Sequence, residues 1–147
     1  MGKIRTAIIT LAGLGVLGGA GFFALGQYSQ GGTAPGLVNG TLAPCPDTPN
    51  CVSSEAGTAP EKLVEPFSPE VWEALPDAIA AMGGEVTRSE DDYLAAEFTS
   101  ATFGFVDDLE LRKADDSVQV RSASRVGYSD RGVNAARVAE LRRRLAG

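Results

Sequence analysis

A chain of 147 residues with 44% hydrophobic and 22% charged residues can form one domain with a tail, and it is too apolar for a disordered protein. It has no histidine, which excludes Ser–His and Cys–His nucleophile systems and every histidine-ligated metal site. The net charge of −6 is unevenly spread, with 17 of the 19 acids between residues 47 and 116 and seven arginines after residue 117. Such asymmetry predicts that the basic segment packs near the acidic one, and no stretch is basic enough to argue for nucleic acid.

Lys3 and Arg5 precede an uncharged run, residues 6–28, of 23 residues, which is long enough to cross a bilayer. Nine large apolar residues in it each favour insertion by about 0.3 to 0.6 kcal/mol, and six glycines erode that total. Residues 1–28 are therefore expected to anchor the chain in a membrane. The alternatives are a cleaved signal peptide, with Ala24 and Gly26 as the small residues before the cut, and a buried soluble helix. Either of the first two readings exports the rest of the chain, because the positive end stays inside. Gly13–Gly18 fits a dinucleotide fingerprint but lacks the acid about 20 positions on that would hold a ribose. "MGKIRT" fits a myristoylation pattern that an anchor makes redundant, and Gly15 and Gly19 have helix-dimer spacing in a run too glycine-rich for that to count. Residues 29–44, rich in Gly, Thr, Asn and Pro, read as a flexible linker, and Asn39-Gly40-Thr41 is a glycosylation sequon.

Cys45 and Cys51 supply half of a four-ligand zinc site, and their five intervening residues are too many for a redox C-x-x-C pair. In an exported domain they are expected to form a disulfide. Closing so short a loop contributes about 2 kcal/mol through chain entropy, and Pro46 and Pro49 stiffen it.

The blocks "APCPDTPNCVSS", "AEFTSATFGFVDDLEL" and "VRSASRVGYSDRGVNAARV" together resemble an uncharacterised family found in bacteria and plants, domain of unknown function 1499. The resemblance runs from about Leu42 to Leu145. It implies a single compact domain in an exported or membrane-linked setting, and it implies no reaction, ligand or catalytic residue.

Within 45–147 the elements follow from periodicity. Ser68-Pro69-Glu70 predicts a helix start, with Ser68 as cap, and Trp72, Leu75, Ile79 and Met82 lie on one face. Pro76 should kink or split this helix, and Gly83-Gly84 should end it. Leu94, Ala96 and Phe98 alternate with Tyr93, Ala95, Glu97 and Thr99, a strand with one wet face, and "EVTR" is its hairpin partner. A second hairpin turns at Asp115-Asp116, which sets Leu111 opposite Val120, Glu110 opposite Arg121 and Arg112 opposite Gln119. After the loop "GYSDRG", Asn134 should cap a last helix with Val138, Leu141 and Leu145 inward and Arg142, Arg143 and Arg144 at its C-terminal end. The expected fold is α+β, an antiparallel sheet of about four strands flanked by an N-terminal and a C-terminal helix and preceded by a membrane segment.

The polar face of this sheet is the expected site. Glu97, Glu110, Arg121 and Arg125 project from it, beside Gln119 and Arg112. Two readings compete: cross-strand ion pairs on a solvated face, or a pocket that binds an anionic or amphipathic ligand through the arginines. Asp107 and Asp108 could join Glu97 around a cation, but neighbours in a strand point to opposite faces, so neither metal nor cofactor is expected. Ser122, Ser124 and Ser129 lack a histidine base. The leading expectation is a membrane-anchored, exported binding or accessory module, periplasmic or lumenal, or secreted if the leader is cleaved. A carboxylate-dependent hydrolase using Glu97, Asp107 or Asp108, and an envelope structural protein acting through protein partners, are the alternatives.

Overall fold

The computed structural model describes residues 18–147. Residues 1–17, which hold most of the expected anchor, the "MGKIRT" motif, Gly15 and all but Gly18 of the Gly13–Gly18 motif, lie outside the described residues. Helix α1 covers 18–30, and among the described residues no helix is long and apolar enough to cross a membrane. A short hairpin, β1 (Leu37–Val38) and β2 (Thr41–Leu42), follows. Then come β3 (Cys51–Ser53), α2 (Leu75–Ala81), β4 (Glu85–Ser89), β5 (Tyr93–Thr99), β6 (Val106–Lys113), β7 (Val118–Ser124) and α3 (Val133–Leu145). The fold is α+β, and its antiparallel sheet has five strands in the order β3-β7-β6-β5-β4. The strand beyond the expected four is β3, whose three residues are too short to carry an alternation signal.

The expected register of the second hairpin is the observed one. Leu111 pairs with Val120, Glu110 with Arg121 and Arg112 with Gln119, and the Ala114 amide closes the turn on Ser117. On the apolar face Leu94, Ala96, Leu109, Leu111, Val118 and Val120 pack against Trp72, Leu75, Ile79, Val138 and Leu141. Burying a leucine-sized side chain contributes about 1.5–3 kcal/mol, so this layer is the main source of stability.

Pro76 does split the first helical segment. Residues Pro69–Ala74 form a 3-10 turn, and α2 begins again with the proline in its first turn, where no N–H is missed. Gly83, at φ +83°, ends α2, and the amides of Gly83 and Gly84 return to the carbonyls of Ala80 and Ile79. Two caps differ from expectation. The Ser68 side chain makes no capping bond. The N-cap of α3 is Gly132, and Asp130 accepts from the amides of Gly132 and Asn134 at 3.0 and 2.8 Å. Asn134 turns inward instead, its amide donating to the Asn50 carbonyl and its oxygen accepting from the Ser122 hydroxyl. A buried amide needs these partners more than an exposed helix end needs a cap.

The second face of the sheet is not wet. Residues 29–44, expected as a flexible linker, fold across it, and Leu42 packs on Tyr93 and Ala95 with Ala34 beside them. At the turn of the β1–β2 hairpin, Asn39 and Gly40 take φ of +54° and +82°, the left-handed pair that an Asn-Gly turn supplies.

Candidate functional site

The face carried by β5, β6 and β7 holds a layer of ion pairs beneath this N-terminal strap. Alternation along the strands aims Tyr93, Glu97, Asp108, Glu110, Arg112, Arg121 and Arg125 away from the apolar core. Glu110 is fully buried. It accepts from the Tyr93 hydroxyl at 2.7 Å, from the Gly36 amide at 2.9 Å and from Arg121 Nη1 at 2.9 Å. The solvated ladder expected for this pair is thus a buried one, because the strap displaces water and supplies an amide in its place. Burial and then the Glu110 carboxylate push the Tyr93 phenol well above its ordinary value, so it stays a donor.

Arg125 lies two alternation steps from Arg121 on the same face, and all three of its guanidinium nitrogens donate. Its Nε and Nη2 grip Asp108 at 2.8 and 2.6 Å, Nη2 also meets Glu97, and Nη1 donates to the Ser29 carbonyl at 3.1 Å. Hydrogen bonding to Asp108 is the largest cause that raises its pKa further above the ordinary arginine value. Asp107 and Asp108 do point to opposite faces, and Asp107 pairs with Arg137 of α3 at 2.7 Å. Each carboxylate named for acid–base work therefore faces a guanidinium. Among the described residues no cluster of three acids or cysteines could hold a metal ion.

Arg121 differs from Arg125. It is 7% exposed, yet its Nε has no hydrogen-bond partner among the described residues. A guanidinium carries five N–H donors, and a buried donor left unmet costs about 1–3 kcal/mol. Arg121 lines a cavity of about 910 Å³ together with Arg125 and Asp108. Tyr28, Pro35, Ala43, Pro44, Ala123 and Val126 give this cavity apolar walls. The Cys45–Cys51 disulfide, with Cα atoms 5.7 Å apart, closes the loop that carries the Pro44–Pro46 wall.

The four expected site residues therefore gather under one strap as two clusters, Glu110–Arg121 and Glu97–Asp108–Arg125. Sequence reasoning missed Tyr93 as a partner of Glu110, although the alternation already put it on the polar face. It also missed Glu55, which holds Arg112 through two bonds of 2.8 and 3.0 Å. No local pattern marks Glu55, because its partner is 57 residues away. The strap had a signal in Asn39-Gly40, which as a turn predicts a hairpin.

No curated protein and no solved structure matches this chain. The family model described as "Protein of unknown function (DUF1499)" matches residues 41–145, which take in the disulfide, the whole sheet and all four expected site residues. The chain belongs to that family.

Proposed function

We propose that this protein is a membrane-anchored, exported binding or accessory module whose cavity takes an amphipathic ligand, with Arg121 as its polar contact. The observation that carries this reading is a cavity large enough for a small molecule whose wall includes Arg121, a side chain only 7% exposed with one N–H that has no partner among the described residues. The charge balance refines the ligand class. Glu97, Asp108 and Glu110 face Arg121 and Arg125, which leaves one surplus negative charge, so a free polyanion is poorly matched. A ligand with carbonyl, ester or hydroxyl oxygens for Arg121 and an apolar body for the proline and alanine walls suits the site better. Because each nearby carboxylate is held by an arginine, binding is favoured over acid–base chemistry. The anchor and the export rest on the run 6–28 and its flanking Lys3 and Arg5, and a disulfide fits an oxidising compartment.

The test is co-purification. The full chain is extracted from membranes in mild detergent, and its organic extract is analysed by mass spectrometry. The wild type should retain an amphipathic molecule. Ala123→Leu, which fills the cavity, and Arg121→Lys, which keeps a charge for Glu110 but loses the guanidinium fork, should lose it while still unfolding cooperatively. Identical extracts from all three proteins would overturn the reading.

A further inference from the structure

We propose that the end of the sheet bearing the β5–β6 loop rests on the lipid bilayer, with Phe22, Phe103 and Phe105 as an interfacial wedge. This rests on the membrane-anchor reading and adds to it an orientation and a contact surface. Residues 18–28 of α1 are the C-terminal part of the apolar run, and the helix leaves large side chains in solvent: Phe22 is 54% and Tyr28 77% exposed, and Phe23 and Leu25 are also exposed. Its Phe22 ring meets Phe103 at 5.6 Å and Phe105 at 6.4 Å, and those two rings lie 6.1 Å apart.

The junction of α1 with this loop is closely fitted. A Cβ at Gly26 would fall 1.7 Å from the Phe103 carbonyl oxygen, so only glycine permits that approach. The Ser29 hydroxyl accepts from the Val106 amide at 3.1 Å, Gln30 donates to the Gly104 carbonyl at 3.1 Å, and Arg125 holds the Ser29 carbonyl. The helix end and the loop thus form one surface. Where α1 leaves a membrane, the loop must lie beside it.

Charge runs the same way. The loop and its flanks, residues 99–106, carry no charge. The antiparallel order puts the β4–β5 and β6–β7 turns at the opposite end of the sheet, where Glu90, Asp91, Asp92, Asp115 and Asp116 are all exposed. Of the ten aromatic residues, Phe22, Phe23, Tyr28, Phe103, Phe105 and Tyr128 stand on α1 or on loops at the β5–β6 end, where the loop of Tyr128 also carries Asp130 and Arg131. An apolar aromatic tip on one end and five acids on the other is the polarity of a domain that meets lipid at one end and water at the other. The cavity shares Tyr28 and Ser29 with this end, so an amphipathic ligand could enter from the bilayer.

Depth measurement tests the proposal on the full chain in phosphatidylcholine vesicles. The two native cysteines are bonded, so a fluorophore attached at Thr102→Cys or Asp116→Cys reports one site each. The label at 102 should be quenched by doxyl lipids and shielded from aqueous iodide, and the label at 116 should behave in the opposite way. Phe103→Ser/Phe105→Ser should remove the lipid quenching at 102 without releasing the protein from vesicles. If the protein floats with vesicles but the label at 102 is as open to iodide as that at 116, the wedge is overturned and the anchor stands. Shielding from iodide without lipid quenching would also overturn it, in favour of a protein contact. Failure to float with alkaline-washed vesicles would overturn anchor and wedge together.

Discussion

Glu110 shows how much depends on one carboxylate. With no exposure, three donors and a single cationic partner, it is stable only while Arg121 stays. Arg121→Met should cost about 3–5 kcal/mol, since it leaves a buried charge unpaired. In Glu110→Gln/Arg121→Met the neutral amide can still accept from Tyr93 and Gly36, so most of that loss should be recovered. Urea unfolding followed by Trp72 fluorescence checks both, and a double variant as unstable as the single one would contradict the account. Glu55 gives a pH dependence. Burial alone would raise its carboxyl, but the Arg112 guanidinium and the Leu42 amide outweigh it and hold the pKa below the ordinary value. A folded-state pKa below the unfolded one adds stability that is full above the ordinary carboxylate range and is lost as pH falls through the folded value. Asp130, lowered by the amides of Asn134 and Gly132 against its burial, acts in the same sense. Glu55→Gln should therefore flatten part of the loss of unfolding midpoint on acidification. Parallel curves for wild type and variant would exclude the mechanism.

Among the elements, the strap and the disulfide loop are short pieces that the sheet depends on. The β1–β2 hairpin places Leu42 on Tyr93 and Ala95, and it relies on Gly40 at φ +82°. A β-branched residue there is strained by about 1–2 kcal/mol, so Gly40→Val should lower stability by that amount and increase amide exchange at Gly36 and Leu42 before the core strands. Uniform exchange along the chain would mean that the strap is not a separate unit. The Cys45–Cys51 bond holds a seven-residue loop beside β7. Intact mass should rise by two hydrogens on reduction, and Cys45→Ser/Cys51→Ser should lower stability by about 2 kcal/mol.

For the whole molecule, charge separation along the chain becomes pairing in space. Arg121, Arg125 and Arg137 of the basic segment after residue 117 each meet acids of the acidic stretch 47–116, namely Glu110, Glu97, Asp108 and Asp107. These pairs hold both faces of the sheet to what covers them, Arg137 of α3 to Asp107 of β6 and Arg125 to the Ser29 carbonyl of α1. On the proposed topology, a reporter active only outside the cytoplasm, fused after Gly147, should be active. Substituting acids for Lys3 and Arg5 should reduce that activity by weakening the positive-inside signal. A reporter equally inactive with and without the substitutions would contradict export.

The local elements were legible in the residues themselves. The alternation of β5, the register that sets Glu110 against Arg121, the split at Pro76 and the stop at Gly83-Gly84 all follow from side-chain period and backbone sterics, which act between near neighbours. The opposite aims of Asp107 and Asp108 follow from the same two-residue period. Whether the polar face meets water was decided only by the tertiary structure. A row of Tyr, Glu and Arg on a strand looks the same whether solvent or a glycine-rich strap lies over it, and the amide of Gly36 reaches Glu110 across 74 residues. The three-residue strand β3, the pairing of Glu55 with Arg112 and the difference between an Arg125 bonded through all three nitrogens and an Arg121 with its Nε unmet are long-range outcomes of the same kind. Sequence pattern fixed which side chains share a face, and packing decided which of their hydrogen bonds were left open.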